Sequence, residues 1–161
     1  MLRALIGRDP KRTLMRAVIW AGVIVLMSHF VLLPIRLRGP SMLPAYEDNS
    51  INVVNRLAYL FHPPQRGDVV VVRLPAGPKV MYCKRVIGLP GERVGFHRGE
   101  AIVNGHVLDE PYLKLPGNWE RDAELVGPDE YYVVGDNRNM DIVFHEQGRA
   151  PRRRIMGKIL L

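Results

Sequence analysis

One long apolar run stands near the start of the chain, and a different pattern follows it. The run "AVIWAGVIVLMSHFVLLPI" covers residues 17–35, and as an α-helix it would be roughly 28 Å long, close to the hydrocarbon thickness of a bilayer. It lacks the polar face of a core helix, and the "RLRGP" that follows is not a small-x-small cleavage site. The run therefore predicts an uncleaved transmembrane anchor. Residues 1–16 hold five basic residues and one acidic residue, which predicts a cytoplasmic head and an extracytoplasmic remainder.

After the anchor, short apolar runs alternate with Gly and Pro, and no long window has helical periodicity. The strand candidates are residues 51–56, 68–74, 79–87, 92–96, 131–134 and 154–160. Within residues 101–108, Asn104-Gly105 separates two apolar halves and predicts a type I′ hairpin. Residues 75–78 and 114–130 are expected to be loops. The predicted fold is mainly β, with residues 36–161 forming an antiparallel β-sheet ectodomain on a single N-terminal helix.

Charge and cysteine content narrow the function classes. The net charge is +7, from 23 basic and 16 acidic residues, but the basic residues crowd before the apolar run and near the C-terminal end. No RNA-binding aromatic motif or zinc-finger spacing accompanies them, so we expect no nucleic-acid partner. The terminal "RAPRRR" is interpreted as a solvated face. The single cysteine, Cys83, excludes an intrachain disulfide and a multi-cysteine metal site. We expect no cofactor, and a monomer.

The strand candidate "KVMYCKRVI" places a lysine among apolar side chains. Because successive side chains of a strand point to opposite faces, Lys84 shares a face with Val80, Tyr82 and Val86. Arg85 lies on the other face, where it needs an ion-pair partner. Desolvating an ammonium is costly unless the group is paired, neutral or functional. By itself, Lys84 is equally explained by a snorkelling lysine or an ion pair.

A serine in "RGPSMLP" offers a reason for that lysine. Ser41 lies between prolines just after the anchor, and an isolated serine there would be an ordinary turn residue. A serine nucleophile needs a base, and the five histidines form no Ser-His-Asp pattern. A lysine can act as the base when burial lowers its pKa from about 10.4 toward neutrality.

Several motifs resemble those of the bacterial type I signal peptidases, the Ser/Lys-dyad enzymes of the S26 family. "PSMLPAY", "RGDVVVVRLP", "YCKRVIGLPGE", "VNG" with "EPYL", and "VVGDNR" occur in that family's order. The resemblance implies a membrane-anchored serine endopeptidase that removes signal peptides from exported preproteins after small-x-small sites, with Ser41 as nucleophile and Lys84 as general base. It also implies substrate-binding positions at Ile35, Leu37, Met42, Tyr82 and Cys83, and structural support from Asp136, Asn137, Arg138 and Asp141.

The chain departs from the family pattern at the oxyanion site and in its last motif. Gly39 stands where some members have a serine that donates to the oxyanion, so a second donor must come from the backbone or be absent. Asp141 stands where a lysine-orienting serine is expected, and direct contact with Lys84 would raise the pKa of that lysine. We therefore expect Asp141 to point elsewhere, with Asp136 and Arg138 supplying a structural ion pair.

Two alternatives to general signal-peptide processing remain at this stage. One is a narrow-substrate peptidase of the same fold, of the kind that serves conjugation or pilus systems. The other is a catalytically silent, membrane-anchored domain that binds extended peptides; the presence of both Ser41 and Lys84 counts against it. A self-cleaving repressor-type protease is disfavoured by the anchor and by the absence of a DNA-binding domain.

Overall fold

The computed structural model describes residues 10–74, 81–144 and 148–160. Several sequence-based expectations fall outside these residues: the first part of the cytoplasmic head (1–9), the loop at 75–78, and the position of Val80 beside Lys84.

The N-terminal helix, α1, runs from Pro10 to Val31 and buries none of its residues against the rest of the chain. It is long and apolar enough to cross a membrane. The predicted span of residues 17–35 is wrong at its end, because Leu32–Arg36 forms a strand instead. Pro34 explains the difference, since proline cannot donate within a helix and it biases the residue before it toward extended backbone.

Eleven strands follow in the described residues. In chain order they are β1 (Leu32–Arg36), β2 (Ile51–Asn55), β3 (Val69–Arg73), β4 (Met81–Gly88), β5 (Arg93–His97), β6 (Glu100–Val103), β7 (His106–Val107), β8 (Arg121–Leu125), β9 (Glu130–Val134), β10 (Gly148–Pro151) and β11 (Ile155–Leu160). A seven-stranded sheet has the order β1-β2-β11-β3-β4-β9-β10, and a four-stranded sheet has the order β7-β6-β5-β8. Every neighbouring pair is antiparallel, which confirms the predicted fold class.

The predicted strands are found to within two residues over the part of the chain that the structure describes, but besides β1 two strands were missed. The hairpin is confirmed, with Asn104 at φ 52° and Gly105 at φ 84°. Strand β8 lies inside the predicted loop 114–130. Its sequence "RDAEL" has no apolar alternation, because β8 is an edge strand with charged side chains. The other, β10, contains Pro151 and is also an edge strand, where proline is tolerated.

Both faces of the large sheet are covered, which explains the continuous "VVVV" of β3. Val69 and Val71 pack on one face with Met42, Tyr46 and Cys83. Val70 and Val72 pack on the other face with Tyr59, Val86, Tyr131 and Val133. A third cluster joins the two sheets and contains Ile87, Val94, Phe96, Trp119 and Tyr132. Strands buried on both faces are apolar throughout, so alternation is lost.

One rung of the large sheet links the buried lysine to the end of α1. Lys84 pairs with Val70, Val70 with Lys158, Lys158 with Asn55, and Asn55 with Leu32. Leu32 is the first residue after the helix. Four strand spacings separate the two ends of the rung, about 19 Å in all. Lys84 thus lies level with the C-terminal end of α1 along the strand direction.

Candidate active site

Ser41 lies on a one-turn 3₁₀ helix, Pro40–Met42, that is held from two sides. On one side the Gly39 N–H donates to Asp48 Oδ1 at 2.7 Å, and Gly39 has φ 97°, a conformation that favours glycine. On the other side the Asn137 N–H donates to the Ser41 carbonyl at 3.0 Å, and Asn137 Nδ2 donates to the Pro40 carbonyl at 3.1 Å. The backbone on both sides of Ser41 is therefore fixed.

The lysine reaches this turn because the ladder between β4 and β9 stops short. Arg85 opposite Val134 is the last pair between β4 and β9. The part of β4 from Met81 to Lys84 is therefore not paired with β9, and the Ser41 turn packs near it. The Lys84 Nζ lies 2.6 Å from the Ser41 Oγ, within hydrogen-bond distance.

Several apolar side chains of the described residues lie around Lys84. Lys84 is only 3 % exposed. Its Nζ lies 5.6 Å from the centre of the Tyr82 ring, and Tyr82 and Val86 pack in the same cluster as its cross-strand partner Val70. Burial of an amine among apolar groups disfavours its charged form as a general rule. A neutral amine at this distance is able to accept a proton from the serine hydroxyl.

A cleft of about 560 Å³ opens in front of Ser41. The expected substrate-binding residues all line it: Ile35, Leu37, Met42, Tyr82 and Cys83. One wall is β1 together with the segment that leads to Ser41, and the other wall is the start of β4. Burial raises the pKa of the Cys83 thiol to about 12, so this side chain contributes an apolar surface rather than a thiolate.

The turn also limits where an oxyanion could be bound. The first N–H groups of a 3₁₀ helix have no acceptor inside it, which leaves the Ser41 N–H available, whereas Pro40 has no N–H to offer. The Gly39 N–H, a possible second backbone donor, is already bound to Asp48. Asp48 gave no signal in the sequence, because an acidic residue in a loop is ordinary.

Two buried ion pairs stand behind the site, and they correct one expectation. Asp136 binds Arg85 through two hydrogen bonds, at 2.9 and 2.6 Å. Arg138, fully buried, binds Glu110 at 2.6 Å. Asp136 and Arg138 therefore do not pair with each other as predicted. Although burial disfavours the charged guanidinium, the Asp136 carboxylate raises the pKa of Arg85 above its ordinary value.

Asp141, where the chain departs from the family's last motif, is exposed. Its Oδ1 accepts the backbone N–H of Val143 at 3.1 Å. This carboxylate caps its own loop, as expected for a group that does not orient the lysine.

Sequence reasoning also missed the partners that complete the second ion pair. Glu110 is 5 % exposed and accepts the Tyr112 hydroxyl at 2.7 Å. Burial, with the Glu110 carboxylate beside it, raises the pKa of Tyr112. The motif "EPYL" marked both residues without indicating their partner, because the partner lies 28 positions further along the chain.

Comparison with known proteins gives the family of the chain. The family model described as "Signal peptidase, peptidase S26" matches residues 11–160. Signal peptidase I of Leptolyngbya laminosa is 38 % identical over 128 residues, which cover 75 % of this chain and 63 % of that protein. Signal peptidase I of Bacillus caldolyticus is 34 % identical over 151 residues, which cover 85 % of this chain and 82 % of that protein. A solved signal peptidase I of Enterococcus faecalis V583 is 24 % identical with a TM-score of 0.49, over 60 % of this chain and 97 % of that chain. Since the family match runs from the helix through both sheets, the chain belongs to the signal peptidase family, peptidase S26.

Proposed function

We propose that this protein is a membrane-anchored endopeptidase that removes signal peptides from exported preproteins after small-x-small sites. The observation that carries the proposal is the 2.6 Å distance between Lys84 Nζ and Ser41 Oγ, with the lysine buried and the serine facing an open cleft. A Ser/Lys pair in this arrangement needs neither histidine nor a metal to form a nucleophile.

Acylation begins when the neutral Lys84 amine takes the hydroxyl proton of Ser41, and the Oγ attacks the carbonyl carbon of the scissile peptide. The oxyanion accepts a hydrogen bond from the Ser41 N–H. Collapse of this intermediate breaks the C–N bond, and the Lys84 ammonium returns the proton to the leaving amine. An acyl-enzyme on Ser41 remains, and the mature protein leaves with a free N-terminus.

Deacylation reverses these roles with water. Lys84, neutral again, takes a proton from a water molecule, and the resulting hydroxide attacks the ester carbonyl. The ammonium then returns the proton to the Ser41 Oγ as the signal peptide leaves with a free carboxylate. One base thus serves both halves of the reaction, which requires that it stay within reach of the Oγ.

The walls of the cleft suit an extended peptide. β1 is the outermost strand of its sheet, and β4 has no β9 partner before Arg85, so both walls offer unpaired backbone groups. A substrate strand between them would gain main-chain hydrogen bonds on two sides. Alternate side chains of the substrate would then contact the apolar surface around Met42 and Cys83. That surface suits small side chains.

The pairing of the strands also bears on where the site lies relative to the membrane. The rung that joins Lys84 to Leu32 puts the dyad level with the helix end, which supports cleavage close to the membrane surface. With the basic residues before α1 on the cytoplasmic side, the cleft opens on the extracytoplasmic side, where an exported precursor emerges.

The test is cleavage of a preprotein carrying an Ala-x-Ala site by the full-length protein in lipid vesicles. We expect Ser41→Ala and Lys84→Met each to abolish cleavage while keeping the wild-type unfolding midpoint. Ser50→Ala, which removes a hydroxyl bonded to the Glu47 carbonyl, serves as the matched control and should cleave normally. Full activity in either dyad variant would refute the mechanism.

The same assay separates the alternatives. A wild-type protein that cleaves only one or a few of a panel of exported precursors would be a narrow-substrate peptidase of this fold. A wild-type protein that cleaves none of them, yet binds signal peptides, would be the silent binding domain.

A further inference from the structure

Strand β1 pairs with β2 through every second residue, and Arg36 is one of the residues between. The Leu37 N–H donates to the Ser50 carbonyl at 2.9 Å, and the Val31 carbonyl accepts the Arg56 N–H at 2.8 Å. Because an antiparallel strand directs the backbone groups of alternate residues to opposite edges, the odd-numbered residues of this strand face β2. The N–H and C=O of Arg36 therefore point to the free edge, toward the cleft.

The side chain of Arg36 lies on the outer face of β1. Its chain neighbours Ile35 and Leu37 turn inward and pack in the cluster that contains Cys83. Arg36 is exposed, and Ile51, its partner on β2, is 70 % exposed. Since successive side chains of a strand point to opposite faces, β1 presents apolar groups to the pocket and a cation to the face that is open to water.

Two guanidinium groups border the cleft without an ion-pair partner among the residues that the structure describes. Arg36 and Arg38 both line the cleft, both are exposed, and no acidic side chain of the described chain lies within ion-pair distance of either. The one carboxylate among the described lining residues is that of Glu47. Glu47 follows Tyr46, which packs in the inner cluster with Cys83, so we place it on the pocket side. The outer side of the cleft is therefore positively charged.

A substrate with a small-x-small site would follow the same alternation. Its two small residues enter the pocket, so the residue between them, x, points to the outer face. Residue x then shares that face with Arg36 on β1 and with Tyr82 on β4, which alternates with Cys83 and also lines the cleft. An arginine side chain is long enough to reach both the directly opposite and the diagonal positions of a neighbouring strand. The contact is thus expected for either direction of the substrate strand.

We propose that Arg36, assisted by Arg38, is a specificity-determining residue that favours precursors with Asp or Glu at x. The substrate class is a preprotein whose cleavage site carries a carboxylate between its two small residues. A guanidinium group can bind a carboxylate through two parallel hydrogen bonds, whereas Lys or Arg at x would meet a like charge. The inference rests on the proposed function and adds to it the residue that reads the middle position of the site.

The expected preference is small because the contact is exposed to water. An exposed ion pair changes an equilibrium by about threefold, so an acidic x should gain about this factor over a neutral one. A basic x should lose a similar factor by repulsion, and acidic and basic precursors should then differ about tenfold in kcat/KM. High salt should shrink the difference, since it screens exposed charges.

The experiment measures kcat/KM of the full-length protein in a neutral detergent, at low and at high salt. Three precursors differ only at x, with Glu, Gln or Lys in an Ala-x-Ala site; Glu and Gln have the same shape, so their ratio isolates the charge. The wild-type protein should cleave them in the order Glu, Gln, Lys, with about a tenfold span at low salt. Arg36→Gln with Arg38→Gln should bring the three values to within about twofold of one another.

A charge reversal gives a readout that a merely structural role would not move. Arg36→Glu with Arg38→Gln should reverse the order, so that the Lys precursor becomes the best of the three. Arg56→Gln is the matched control, since it makes the same charge change at an exposed residue just after β2 that does not line the cleft. Arg56→Gln should keep the wild-type order and span. Glu47→Gln should also keep the order, because Glu47 lies on the pocket side.

The outcomes distinguish this inference from the function on which it rests. Absence of cleavage of all three precursors would overturn the proposed function and this inference with it. Equal cleavage of the three by the wild-type protein would overturn this inference alone. So would a preference for Glu that survives in both arginine variants. A loss of activity in those variants that is the same for every x would show that the arginines bind another anion, such as a lipid phosphate, and would overturn the inference as well.

Discussion

Replacing Asp136 by asparagine tests whether the buried ion pair with Arg85 holds the site together. Asp136 is fully buried and Arg85 is 12 % exposed. The guanidinium also donates to the Gly67 carbonyl at 2.8 Å and stacks 3.9 Å from the centre of the Tyr112 ring. Arg85 therefore cannot turn out to water when its carboxylate is lost. Removing one partner of a buried pair costs about 3–5 kcal/mol, a large share of the roughly 5–15 kcal/mol that stabilises a domain.

The assay is urea unfolding of the full-length protein in detergent, followed by Trp119 fluorescence. Trp119 is a suitable reporter because it is 4 % exposed and its Nε1 donates to the Met140 carbonyl at 2.8 Å. Asp136→Asn should lower the free energy of unfolding by about 3–5 kcal/mol and reduce cleavage, since the next residue, Asn137, holds the Ser41 turn. Glu120→Gln, which breaks the exposed pair with His97, should leave the urea midpoint unchanged.

A second variant separates the ion pair from general disruption. Arg85→Met combined with Asp136→Asn leaves no unpaired charge, so it should recover most of the stability lost in the single variant. A loss below about 1 kcal/mol in Asp136→Asn, the range of an exposed pair, would refute the reasoning. So would a double variant less stable than the single one.

Three further outcomes follow from other contacts. Burial opposes ionisation of Asp68, but hydrogen bonds and the charge of Lys158 lower its pKa below the ordinary value. The ionised carboxylate therefore stabilises the fold above the unfolded pKa of about 3.9, and this stabilisation is lost as the pH falls through the lower folded pKa. In urea titrations at each pH, Asp68→Asn should thus be less stable than wild type near neutrality, and the gap should close in acid. Asn137→Ala should lower kcat about fivefold with little change in KM, because it removes the Nδ2 hydrogen bond to the Pro40 carbonyl and a hydrogen bond is worth about 1 kcal/mol. Asn139→Ala, which breaks a bond to the Gly117 N–H in the same loop, should not. Gly95→Ala would place a Cβ 2.8 Å from the Arg121 carbonyl oxygen, so it should force β8 away and lower the free energy of unfolding by about 1–3 kcal/mol. An unchanged free energy of unfolding would contradict that close packing.

The sequence predicted most of the strands because apolar runs bounded by Gly and Pro report local burial directly. It did not predict β8, whose charged residues reflect an edge position that only the pairing with β5 reveals. It also misjudged the end of the helix, because the same apolar residues suit a membrane span or a strand, and pairing with β2 decided for the strand. In the same way, "RAPRRR" is an ordinary charged stretch until the pairing of β10 with β9 places its first residues on an edge of the large sheet.

For the candidate site, the sequence alone determined the chemistry that is available. A serine between prolines, a lysine in an apolar strand and an ordered set of motifs are local features, and they named Ser41, Lys84 and the residues of the cleft. Only the tertiary structure decided the partners. Asp136 binds Arg85 rather than Arg138, Glu110 binds Arg138, and Asp48 takes the Gly39 N–H. These contacts join positions far apart in the chain, and their geometry depends on how the strands pair and where each ladder ends. No local pattern of residues contains that information.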